Sequence, residues 1–142
     1  MKYRSIFAKL AGLVFLLILT GCSTAASTPS QPVEVDITAT DFGFESSMTT
    51  FETGVPYHFV VTNEGQVEHE FMIVQPIEAG TMDMEQMDEM ALGHIEEDDL
   101  QPGDTASVDV TFQDPAPQGT LEFACHLPGH YEAGMRLPIV VQ

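Results

Sequence analysis

Residues 125–135 read Cys125-His126-Leu127-Pro128-Gly129-His130-Tyr131-Glu132-Ala133-Gly134-Met135. The stretch gathers a thiolate, an imidazole and a thioether in one short loop. Just before it, Leu121, Phe123 and Cys125 fall on alternate positions, the period of a strand with one apolar face inward. The cysteine therefore extends an inward row and the loop leaves from its end. A soft thiolate with imidazoles and a weak axial thioether suits copper, because the set fully satisfies neither Cu(I) nor Cu(II) and asks for little rearrangement between them.

A trigonal site of this kind needs a second histidine from elsewhere in the fold. His69 is the best candidate. It follows the turn signal Asn63-Glu64-Gly65, and alternation puts His69, Phe71 and Ile73 on one face. His126 directly follows the cysteine, so extended backbone turns its side chain the other way, toward solvent or a docking surface. His58, between Tyr57 and Phe59, reads as structural. The chain has two cysteines; with Cys22 in an N-terminal targeting segment, Cys125 has no partner for a disulfide. A binuclear copper centre would need a second nearby cysteine, and a structural zinc site prefers several cysteines or a closed set. The bland alternative is an inert buried thiol.

With these residues in view, the chain resembles the cupredoxins, the small blue-copper electron carriers that include plastocyanin, azurin, rusticyanin and auracyanin. The family pattern is an early histidine after a strand-connecting turn, then Cys, His and Met on a late loop. The spacing from Cys125 to His130 to Met135 is similar to the rusticyanin and auracyanin type. The resemblance implies a Greek-key β-sandwich holding one type 1 copper per chain, with His69, Cys125 and His130 as equatorial ligands and Met135 as the axial one. Two positions depart from the pattern. Glu70 stands where Asn or Ser often pins the cysteine loop, and Arg136-Leu137-Pro138 replaces the usual continuation after the methionine.

The N-terminus carries its own signal. Lys2, Arg4 and Lys9 precede an apolar run from Ala11 to Leu19, too short for a comfortable membrane span. Residues 1–21 therefore read as an export signal. Leu19-Thr20-Gly21-Cys22 resembles the bacterial lipobox, which implies cleavage before Cys22 and lipidation of its thiol; several acyl chains anchor stably where one is marginal. Residues 22–32 are small, polar and proline-bearing, a flexible linker. The expected product is exported and tethered to the cell membrane, facing the periplasm or the cell exterior.

Once that segment is removed, Arg136 is the single base against 22 acidic residues. So anionic a domain repels nucleic acid and attracts basic partners at low salt. Docking patches for redox partners and a surface adapted to high salt both fit this balance. The remaining residues, 33–142, are one domain by length. Val33, Val35 and Ile37 alternate with polar residues, Tyr57 to Thr62 is rich in β-formers, and Ala106, Val108, Val110 and Phe112 alternate again. Turn signals at Gly54-Val55-Pro56, Pro102-Gly103-Asp104 and Asp114 to Gly119 separate these runs, as in a sandwich.

One segment breaks the all-β pattern. Residues 81–98 read as a short helical insertion, with Thr81 as its cap, Asp83 and Glu85 in its first turn, and Met84, Met87, Ala91 and Ile95 near one face. Its methionines and His94 suggest a second Cu(I) site on Met84, Met87, Met90 and His94, since thioethers are soft ligands. The competing reading is a helix that packs flexible apolar side chains on the sandwich.

The expected function is a membrane-tethered electron carrier that exchanges single electrons with protein donors and acceptors, as a monomer. Phe71 and Phe123 would keep water from the metal, and His130, near Leu127, Pro128 and Pro138, would reach an apolar surface. A copper-delivery lipoprotein using the methionine segment is the alternative. An enzyme is a distant third, because a catalytic copper needs further histidines and the chain has five in all.

Overall fold

The computed structural model describes residues 31–77 and 82–142, apart from the side chain of Met84. The segment expected to be an export signal, Cys22, most of the expected linker and Thr81 lie outside the described residues. Among the described residues no helix is long and apolar enough to cross a membrane.

Two sheets face each other. The first holds, in spatial order, β2 (Gly43–Ser46), β1 (Val33–Thr40), β4 (Pro56–Asn63) and β7 (Thr105–Thr111). The second holds β3 (Thr50–Phe51), β9 (Arg136–Val141), β8 (Ala116–Ala124), β5 (Phe71–Val74) and β6 (Gly93–Ile95). β1 runs parallel to β4 and β3 parallel to β9, while the other pairs are antiparallel. The all-β sandwich with one short helix is the architecture that the alternating runs predict.

Period-two alternation builds the core. On β4, Tyr57, Phe59 and Val61 are buried, and the register sets Val35 beside Phe59 and Ile37 beside Val61. The second sheet answers with Phe71, Ile73, Leu121, Phe123 and Ile139. Phe51, Phe59, Phe71 and Phe123 have no exposed surface. Phe71 packs against Phe123 with centroids 5.1 Å apart, and Phe123 against Phe59 at 5.7 Å. Burying each ring contributes roughly 1.5–3 kcal/mol. The column leads up to the end of β8, where Cys125 begins the loop. Beside it, Gly93 lets β6 approach the opposite sheet, since a Cβ there would lie 2.8 Å from the Val110 side chain.

The insertion differs from its sequence reading. Helix α1 covers only Met84–Met90, and its cap is Asp83, whose carboxylate accepts the Gln86 N–H at 2.9 Å. Ala91 is already extended, Leu92 donates to the Ile73 carbonyl, and residues 93–95 join the sheet as β6. Helical spacing of Met84, Met87, Ala91 and Ile95 was compatible with a longer helix, but Gly93 weakens it and pairing with β5 competes for the same backbone groups. A 3₁₀ turn, Glu97–Asp99, ends the insertion. β8 also starts earlier than its alternation suggests, at Ala116. Its ladder slips between Ala116 and Leu121, where Gly119 sits at φ 84° and residues 117–120 are exposed, so no inward row marks them in the sequence.

Candidate metal centre

His69, Cys125 and His130 converge although 61 residues separate the two histidines. The Cys125 sulfur lies 3.3 Å from His130 Nδ1, and that nitrogen lies 3.3 Å from His69 Nδ1. The two rings meet edge to face, with centroids 5.1 Å apart. His69 and Cys125 are wholly buried and His130 is partly exposed. Burial holds the His69 pKa below its ordinary value, and nearby His130 lowers it further. Burial also pushes the Cys125 thiol up to about 11.

Local hydrogen bonds explain how each donor is aimed. His69 leaves a turn built by buried Asn63, whose Nδ2 donates to the carbonyls of Val67 and Leu100 at 2.8 and 2.9 Å, and whose Oδ1 accepts from Gly65 N at 2.8 Å. Gly65 lies against the outer edge of the imidazole. A Cβ there would fall 2.9 Å from His69 Nε2 and closer still to the Asp41 carboxylate. Asp41 accepts the Gln66 N–H at 2.6 Å and faces His69 Nε2 at 3.6 Å. That placement favours the tautomer with the proton on Nε2, which leaves the Nδ1 lone pair pointing at Cys125 and His130.

The late loop closes on itself. Cys125 N donates to the Met135 carbonyl at 3.2 Å, Met135 N to His130 O at 3.0 Å, and His130 N to Leu127 O at 2.9 Å. Met135 is fully buried at the end of this loop. Gly134, at φ 103°, makes the return possible where a side chain would be strained.

Both departures from the family pattern have structural roles that spacing alone did not reveal. The Glu70 carboxylate, buried, accepts the backbone N–H of His126 at 2.5 Å, so it pins the cysteine loop itself. Burial pushes its pKa up to about 7. Arg136 donates to the Tyr131 hydroxyl at 3.1 Å and its guanidinium lies 4.9 Å from that ring's centroid. The hydroxyl in turn donates to buried Glu122 at 2.6 Å. Asp41, Asn63 and Gly65 were likewise missed as supports of His69. Only the turn signal at residues 63–65 hinted at them.

The other candidates lie outside the triad. His126 turns away from the triad as alternation requires, but it is buried rather than solvent-facing, stacked on Tyr131 at 4.4 Å and 15°. His58 pairs across strands with Asp109 at 2.6 Å. Met87 is buried under α1 and His94 sits on β6, whereas Met90 is half exposed and faces another side. Around His130 the surface mixes Val67, Pro102, Leu127 and Pro128 with Gln66, Glu68 and Gln101, so it is only partly apolar, and Pro138 lies on β9.

The triad fits copper by its chemistry. Two imidazole nitrogens and one thiol sulfur stand together in a buried spot, and among the described residues no fourth Cys, His or carboxylate closes them into the full set a structural zinc prefers.

The comparisons with known proteins agree with this geometry. The chain is 33% identical over 101 residues to the copper-resistant cuproprotein CopI of Rubrivivax gelatinosus, a match covering 70% of this chain and 59% of that protein's length. It is 27% identical to the protein of the same name from Pseudomonas aeruginosa, across 93% of this chain and 95% of that one. Among solved structures, auracyanin from Roseiflexus castenholzii superposes with a TM-score of 0.59 at 19% identity, covering 80% of this chain and 98% of the other. Rusticyanin from Thiobacillus ferrooxidans does so with a TM-score of 0.54 at 18% identity, covering 79% of each. The family model for a cupredoxin-like domain matches residues 11–136, and the chain belongs to that family.

Proposed function

We propose that this chain is a mononuclear blue-copper protein that carries single electrons at the cell envelope. The observation that supports this best is the meeting of Cys125 Sγ, His130 Nδ1 and His69 Nδ1 at successive separations of 3.3 Å in a buried place. His69, Cys125 and His130 would hold the ion, with Met135 as the axial donor. Copper supplies a one-electron couple there, and a site that fully satisfies neither oxidation state keeps reorganisation small.

The surrounding residues suit that task. Phe71 and Phe123, both fully buried, exclude water from the inner side. Loop hydrogen bonds and the Glu70 anchor hold the donors still. His130 alone among the three donors reaches the surface, so its ring edge is where a protein partner would approach. The 22 acidic residues favour a partner with a basic face. Export and lipidation at Cys22 would keep the carrier beside the membrane.

A second reading, copper resistance by binding or delivering copper, is favoured by the names of the two CopI relatives. The Rubrivivax relative is longer, so its whole activity is not carried over. One experiment separates the readings. Purified protein loaded with Cu(II) should show an intense visible thiolate-to-copper band and a reversible one-electron couple, both lost in Cys125→Ser. Bound copper without colour or couple would leave only the binding reading.

A further inference from the structure

The end of the five-stranded sheet presents metal-binding side chains on both faces. His69 and Cys125 turn inward, so their chain neighbours Glu70 and His126 turn outward. On β6, His94 pairs with Met72 in the same outward row. Helix α1 lies over this face and brings buried Met87, with Met82 just before it. Between them is a cavity of about 730 Å³ lined by Glu70, Met82, Met87, His94 and His126.

Two atoms in this cavity lack partners. His126 is only 8% exposed, and its Nε2 is buried with no hydrogen bond. The Nε2 of His94 is also buried without one, 4.0 Å from the Glu70 carboxylate. Native proteins rarely leave such nitrogens unmet. Stacking on Tyr131 fixes the angle of the His126 ring. Five further acidic residues line the same cavity, Asp83, Asp88, Glu96, Glu97 and Glu132, with no lysine or arginine among its lining residues. The surroundings therefore favour a cation.

We propose that this outer cavity is a second metal site that takes Cu(I) on His94, His126 and Met87, with Met82 beside them. Imidazoles and thioethers together are the soft donor set that cuprous ion selects. Among the described residues no other His, Cys, Asp or Glu joins His94 and His126 in a set of three donor atoms within 4.8 Å of one another, which leaves a gap for the methionines to fill. Methionine side chains on a short helix can swing to close that gap, so the second ion is held more loosely and exchanges more readily. The site uses His126, which the sequence reading set aside, and does without Met90. It does not depend on the electron-carrier reading.

The test uses the full chain under reducing conditions. Competition with a chromogenic Cu(I) chelator should count two Cu(I) per chain, one released first. His94→Gln with Met87→Leu should weaken the looser ion by at least roughly tenfold and leave the visible band of the Cu(II)-loaded protein unchanged, which also reports an intact fold. On the wild-type chain already holding one Cu(I), added Ag(I) should shift the ring signals of His94 and His126 and the methyl signal of Met87 in NMR spectra. A single Cu(I) equivalent, a second equivalent that the double variant keeps, or Ag(I) shifts that miss these residues would each overturn the proposal. Should the double variant misfold, the Ag(I) titration decides. Failure of the first site reads out separately, as a colourless Cu(II) protein.

Discussion

Glu70 reaches across the sheet to the backbone N–H of His126, and so ties the residue after one copper donor to the residue after another. The bond fixes the depth of the β5 strand against the start of the late loop. It places a carboxylate where the family often uses a neutral side chain.

Replacing Glu70 therefore has two distinguishable outcomes. Glu70→Ala leaves a buried N–H unpaired and should cost about 1–3 kcal/mol in urea unfolding of the metal-free protein. Glu70→Gln keeps an acceptor and should lose less. Because burial raises the folded pKa from 4.5 to about 7, this group's contribution is fully present below the unfolded value and is lost as pH rises through about 7. Metal-free stability should fall across that window by on the order of 1–3 kcal/mol from this group, and Glu70→Gln should flatten the fall.

Gly65→Ala should disturb the site without touching a donor. Its methyl group would meet His69 Nε2 and the Asp41 carboxylate. We expect roughly 1–3 kcal/mol of destabilisation and copper binding weakened by about tenfold or more. Competition with a chelator measures the second effect, and unchanged affinity would contradict the packing described for His69.

Copper uptake should release a proton from Cys125. The thiol, held near 11 in the metal-free protein, must ionise to bind, while burial keeps His69 neutral down to below its ordinary pKa. Below 11, the thiol makes affinity rise by about tenfold per pH unit. Calorimetry in buffers of different ionisation enthalpy counts the protons, and a pH-independent affinity between pH 6 and 8 would refute a thiolate ligand.

Phe123→Ala should be the most damaging of these changes, at roughly 3–5 kcal/mol. The ring contacts Phe51, Phe59 and Phe71. Thermal unfolding should show it, and Phe123→Leu should recover much of the loss.

Much of the donor set was legible because strands write their inward face every second residue. Leu121, Phe123 and Cys125 announce one row and His69, Phe71 and Ile73 another, so two donors could be placed before any contact was known. The supports were not legible, because Asp41, Asn63 and Glu70 act on partners up to 56 residues away. Nothing in local pattern marks which carboxylate meets which imidazole. The insertion was misjudged in extent for a similar reason. Methionines at helical spacing continue into Ile95, and only pairing with β5 reveals that Gly93 to Ile95 is a strand.

The outermost strands of the copper-bearing sheet are only two and three residues long, Thr50–Phe51 on one side and Gly93–Ile95 on the other. Such stubs offer few free backbone groups to a neighbouring molecule. The longer border strand of the opposite sheet, β7, carries Asp109 outward, a charge that discourages stacking. At high local concentration the chain is thereby guarded against zipping edge to edge into aggregates, by brevity on one sheet and by charge on the other.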